Sequence, residues 1–220
     1  MLFRSAAVDR LTELVEAIGR GDVKAELMSE LERQRRQLQP LEGSEAIDQG
    51  QLSRLLGQLG RLLDTLHTQA GPPAQRLHDD PLLSAVMKRS RIPGGTCGFD
   101  LPAFQCWLAQ PADHRRQTLE AWLHPLEGLR DAVGMLLRLL RETGRMADRS
   151  AESGAFQEPL DPTRSVQLIR VAVDPETMVY PEISASRHRV TIRFLELPQE
   201  RSRPVQTEND VAFGLCYCYG

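Results

Sequence analysis

The chain has 220 residues, of which 41% are hydrophobic, 26% charged and 5% aromatic, a balance that fits a soluble globular chain of one large or two small domains. Collagen-like, low-complexity and wholly disordered classes are excluded. With 27 Lys plus Arg against 30 Asp plus Glu, the net charge of -3 gives the whole molecule no reason to gather nucleic acid or acidic membrane, so an anionic partner needs a local patch.

In chain order, Leu11, Leu14, Val15 and Ile18 form one helical stripe that stops at Gly19 to Gly21. Asp22 then reads as the N-cap of a helix from Val23 to about Leu38, whose ERQRR run is a solvated face with Glu32 four residues ahead of Arg36. The clearest periodicity follows. Leu52, Leu55, Leu56, Leu59, Leu62, Leu63 and Leu66 recur at three- and four-residue steps behind a capping Asp48, and Pro72 and Pro73 end the segment. Gly57 and Gly60 cost this helix about 1 kcal/mol each relative to alanine, which predicts another helix crossing closely there. Leu82, Leu83, Val86 and Met87 lead into Lys88, Arg89 and Arg91, and the following Pro93-Gly94-Gly95 cannot continue a helix.

Asp100 ahead of Leu101 and Pro102 predicts a side-chain-capped helix over Leu101 to Leu108. Another begins near His114 and places Leu119, Trp122 and Leu123 on one face. Pro125 opens the last, which carries Leu126, Leu129, Val133, Leu136, Leu137 and Leu140 and stops near Gly144. Trp107 and Trp122 read as core residues.

Residues 145–162 are rich in Ser, Gly, Pro and acidic side chains and read as a linker, which divides the chain into a helical domain at 1–144 and a β-domain at 163–220. Ser165 to Val173 alternates as a strand and ends at Asp174-Pro175. A second strand is expected after the YPEIS segment. Its alternation sets Arg187, Arg189, Thr191, Arg193 and Leu195 on one side and Val190, Ile192 and Phe194 on the other. Two readings of the basic side stay open. It is a solvated sheet face neutralised by acidic residues of an adjacent strand, or a surface for anions or acidic peptides, to which the planar arginine fork is suited. A final strand runs from Val211 to Leu215 or a little further and closes the sheet. The fold class is α+β, an N-terminal helical domain followed by a C-terminal antiparallel β-domain.

No phosphate loop, nucleophile elbow or zinc-protease motif occurs, and the five histidines are scattered over different elements. Cys97, Cys106, Cys216 and Cys218 match no zinc spacing, so no metal or cofactor is expected, and Cys97 and Cys106 read as small buried residues. The chain is read as a non-enzyme. No run approaches the roughly 18 apolar residues that span a bilayer, and MLFRSAAVDR lacks the apolar core of a signal peptide, so a cytoplasmic protein without membrane insertion is expected. A nucleic-acid-binding module using Lys88, Arg89, Arg91 and the basic strand is the rival class. The acidic balance, the few aromatics beside those cations and the absence of a binding motif oppose it.

Three stretches taken together, RGDVKAELMSELERQRRQL at 20–38, RIPGGTCGFDLPAFQCWL at 91–108 and YPEISASRHRVTIRF at 180–194, resemble the ZapD family of bacterial cell-division proteins. The resemblance runs in order over nearly the whole chain. It implies a homodimer that acts at the midcell division site, binds the C-terminal tail peptide of FtsZ and bundles its filaments without catalysis. Matching the YPxIS and IRF segments carries the family's FtsZ-binding basic residues onto Arg189 and Arg193, with Arg187 beside them, and Arg89 stands at a further basic position. Similar sequences usually begin with another helical segment upstream of the portion matched from Phe3 onward, so a shortened member is implied. Many carry His where Gln105 stands, and no family role is transferred to that position.

Overall fold

In the computed structural model, which describes residues 2–69, 71–196 and 203–219 and side chains from residue 6 onward, helices occupy the first part of the chain and antiparallel strands the last. The α+β reading is borne out. The chain divides into two compact units, Met1–Leu136 and Leu137–Gly220.

The helices are α1 (Leu2–Ile18), α2 (Val23–Leu38), α3 (Gln49–Thr68), α4 (Gln75–Asp79), α5 (Pro81–Ser90), α6 (Pro102–Ala109), α7 (Ala112–Leu123) and α8 (Glu127–Glu142). Three of them start on an aspartate that accepts a hydrogen bond from an otherwise orphaned backbone N–H: Asp22 from Ala25 at 3.0 Å, Asp48 from Gln51 at 3.0 Å and Asp80 from Leu83 at 2.8 Å. The leucine stripe of α3 buries Leu52, Leu59, Leu63 and Leu66, and α2 packs on it with Leu31 fully buried. Each such leucine contributes about 1.5–3 kcal/mol by leaving water. Phe104, Trp107 and Trp122 are also core residues, with successive ring centroids 5.8 and 5.7 Å apart.

Three expectations fail in this unit. No helix crosses at Gly57 and Gly60, for a Cβ built on Gly60 meets nothing within 4 Å and one on Gly57 meets only the Arg61 guanidinium at 3.5 Å among the described residues. Asp100 does not cap α6. Leu101 holds the N-cap position without a side-chain bond, and the Asp100 carboxylate turns back to Arg89 and Cys97. Cys97 and Cys106 are exposed rather than buried, because one sits in the loop before α6 and the other on that helix's outer side.

The strands are β1 (Ala147–Ala151), β2 (Ala155–Pro159), β3 (Val166–Ala172), β4 (Val179–Ala185), β5 (Arg189–Glu196) and β6 (Val211–Tyr219). They form two three-stranded antiparallel sheets, ordered β1-β6-β3 and β2-β5-β4. Val190, Ile192 and Phe194 of β5 pack with Val211, Phe213 and Leu215 of β6 and with Ala151 in one core, where Phe213 meets Phe156 edge-on at 5.2 Å and Phe194 at 4.9 Å.

The stretch 145–162 is not a plain linker, since β1 and β2 lie within it. Their turn takes positive φ at Ser153 (45°) and Gly154 (70°), the geometry of a two-residue hairpin, and a Cβ on Gly154 would lie 2.7 Å from the Thr207 carbonyl oxygen. ADRSA and AFQEP escape a search for apolar alternation because each is an edge strand with a wet outer face. YPEIS does not precede the second strand of this region but forms β4 itself, while β6 runs, as expected, somewhat past Leu215, to Tyr219. Cys216 and Cys218 point away from the sheet core yet are buried, their sulfurs 3.7 Å apart, and Gly144 packs so closely over Cys216 that a Cβ there would lie 2.5 Å from its sulfur. Burial, ahead of the neighbouring thiol, pushes the Cys218 pKa up.

Candidate functional site

β5 holds its register because Val190, Ile192 and Phe194 have no exposed surface, so a one-residue slip would turn all three into water. That constraint aims Arg189, Thr191 and Arg193 outward. On this outer face Arg193 lies between Ala155 of β2 and Glu182 of β4, Thr191 between Gln157 and Ser184, and Arg189 beside Pro159. Arg193 donates to the Glu182 carboxylate from Nε at 3.2 Å and from Nη2 at 2.5 Å. Arg189 has no ion pair among the described residues.

Arg187 does not share the strand face. It lies in the two-residue turn between β4 and β5, closed by the Ser186 N–H donating to the Arg189 carbonyl at 2.8 Å, and counting alternation through the turn had carried it onto the strand. It too has no ion pair among the described residues. The structure thus brings Arg187, Arg189 and Arg193 together on one hairpin. Arg89 belongs to the helical unit, in the last turn of α5, and donates from Nη1 to Asp100 at 2.9 Å, while the Cys97 thiol donates to the same carboxylate at 3.2 Å. These bonds tie the loop 91–101 to α5, and Gly95 fits under it only because it lacks a Cβ, which would lie 2.5 Å from the Arg89 carbonyl oxygen. Arg91 pairs with Glu16 at 2.8 Å. Two cations of the Lys88, Arg89 and Arg91 cluster therefore already have carboxylate partners.

Glu182 is the site residue that sequence reading missed. The signal was available: folding YPEIS and RVTIRF about Arg187 and His188 sets position 182 opposite 193. Elsewhere in the unit the Tyr217 hydroxyl donates to Glu158 at 2.8 Å, and Arg149 stands 4.0 Å from the same carboxylate. Burial, reinforced by that carboxylate, pushes the Tyr217 pKa well above its ordinary value. No group of three or more His, Cys, Asp or Glu among the described residues is placed to hold a metal ion. No helix among them is long and apolar enough to cross a membrane.

Arg189 and Arg193 are thus exposed on one strand face whose alignment is fixed by the buried face behind it, a geometry in which guanidiniums can hydrogen-bond anionic groups. A family model, ZapD, described as a cell division protein, matches residues 3–193, a span that takes in Arg89, Arg187, Arg189 and Arg193. The chain belongs to the ZapD family of cell-division proteins.

Proposed function

We propose that this chain is a non-enzymatic cell-division factor that binds the C-terminal tail of FtsZ on the Arg187, Arg189 and Arg193 hairpin. As a cytoplasmic homodimer it links FtsZ filaments at the midcell ring. The observation that carries the reading is that Arg189 and Arg193 project from one exposed strand face, with Arg187 in the adjoining turn, in a chain of a cell-division family. Tail carboxylates meet Arg189 and Arg187 first, as neither is engaged with a carboxylate among the described residues, and Arg193 joins by exchanging Glu182 for the ligand. Arg89 stands second, since its guanidinium must leave Asp100 to reach a peptide. Two sites on a dimer turn modest single-site affinity into avidity along a filament, so no catalytic step is needed for bundling.

The test is an anisotropy titration of a labelled FtsZ C-terminal peptide against the full chain at low and moderate salt, with Arg189→Glu beside it. Saturable binding that weakens with salt and disappears in the folded variant is expected, together with loss of filament co-sedimentation. A folded chain that leaves the peptide free at low salt overturns the reading.

A further inference from the structure

The two sheets of the β-unit are joined on one side and open on the other. β1 passes into β2 through the Ser153-Gly154 turn, whereas β3 and β4 are the outer strands at the opposite side of their sheets. Among the described residues neither carries a ladder on its outward edge. Ile183 of β4 records this gap: it lies opposite Ile192, which is fully buried, yet Ile183 itself is 42% exposed. Between the free edge of β3 and the end of β4 runs a cleft of about 760 Å³. Leu160, Val166, Leu168 and Ile169 supply apolar wall and Arg164 and Arg187 supply positive charge; no carboxylate among the described residues stands in the lining itself, and the adjacent Asp161 carboxylate is engaged by the Thr163 N–H and hydroxyl, which donate to it at 2.9 and 2.6 Å. The Arg164 guanidinium lies 3.6 Å over the Tyr219 ring, which holds it in place, and Asp161 attracts it without closing to an ion pair among the described residues.

We propose that this cleft takes an extended acidic peptide as an added strand along the free edge of β3, with carboxylates on Arg164 and Arg187. Alternate apolar side chains of that peptide enter between the sheets. An extended chain offers all three things the open side lacks: backbone partners for an unpaired edge, apolar side chains at every second position, and negative charge opposite two guanidiniums. A basic peptide would set its cations against the two guanidiniums. The inference rests on the tail-binding reading for the identity of the peptide and adds the groove for its apolar residues. Arg187 connects the two, as it borders the cleft and precedes the β5 arginine row.

The test is hydrogen exchange on the full wild-type chain with two probes, a saturating FtsZ tail peptide and a synthetic peptide of alternating Asp and Ile. Titrations of Arg164→Glu and Arg189→Glu accompany it. Tail-dependent slowing of exchange at 166–169, with about tenfold weaker binding by Arg164→Glu, is the expected result, tenfold being the effect of one charge-assisted hydrogen bond. A tail that binds and is lost in Arg189→Glu, but leaves 166–169 unprotected and ignores Arg164→Glu, overturns the cleft and leaves the earlier reading standing. Protection by the Asp–Ile peptide alone upholds the cleft and overturns the earlier reading. If neither peptide binds, both fall.

Discussion

Helix α2 neutralises two of its four cations within itself, Arg33 reaching Glu30 at 2.5 Å and Arg35 reaching Glu32 at 3.3 Å, whereas β5 carries Arg189 with no ion pair among the described residues and depends on another strand for the partner of Arg193. The difference lies in backbone geometry. Residues three apart on a helix are neighbours, so a sequence can write both members of a pair into one element. Neighbouring side chains on one strand face are two residues apart, so like charges there repel and relief must come from across the sheet. Where the cross-strand position holds Pro159, as it does beside Arg189, the charge stays available to a partner.

The contrast is open to attack first through the two cores, which have separate chromophores: both tryptophans, 107 and 122, lie in the helical unit and the three tyrosines, 180, 217 and 219, in the β-unit. Phe194→Ala is expected to cost about 3–5 kcal/mol in the denaturant transition followed by tyrosine absorbance, and Leu59→Ala about 2–5 kcal/mol in the one followed by tryptophan fluorescence. Next come the glycines. Gly154→Ala meets a left-handed backbone and the Thr207 carbonyl and should lose about 1–3 kcal/mol, while Gly60→Ala, with open space above it in α3, should gain about 1 kcal/mol. A chain stabilised by the first or weakened by the second would refute the geometry of that turn or that helix face.

The units should also differ in the direction of their pH sensitivity. The Arg33 guanidinium, as hydrogen-bond donor, holds the Glu30 carboxyl below its usual 4.5, so its contribution is present above that value and is lost as pH falls through the folded value. Tyr217 is shifted upward from 10, so its contribution is present below 10 and is lost as pH rises beyond it. Denaturation midpoints should thus fall on the acid side in a Glu30-dependent manner and on the alkaline side in a manner that Tyr217→Phe removes. The smallest effect is expected for Arg193→Gln. An exposed pair contributes between about 0 and 1 kcal/mol, so this variant should unfold almost with the wild type while its peptide binding weakens.

Amphipathic helices were legible because leucine spacing in α3 and the aspartates before α2 and α3 are local signals. The β5 face was legible for the same reason, two-residue alternation over Val190 to Phe194. What escaped depends on residues distant in the chain. Nothing near Ala147–Pro159 announces strands, since their partners are β6 and β5. Asp100 looks like a cap in the local sequence because its competing partner, Arg89, comes from the preceding helix. Alternation does not mark where a hairpin turns, so the sequence alone extends the strand through Arg187, and the cleft beside it needs two sheets before it exists.

One feature of the β1-β6-β3 sheet reaches beyond the folded state. β6, which follows the other five described strands in sequence, is the middle of that sheet, so among the described residues β1 and β3 have no ladder in it until Val211–Tyr219 is present. During synthesis their edges wait on the ribosome for a time on the order of seconds, exposed to aggregation or to chaperones, before one strand closes both at once.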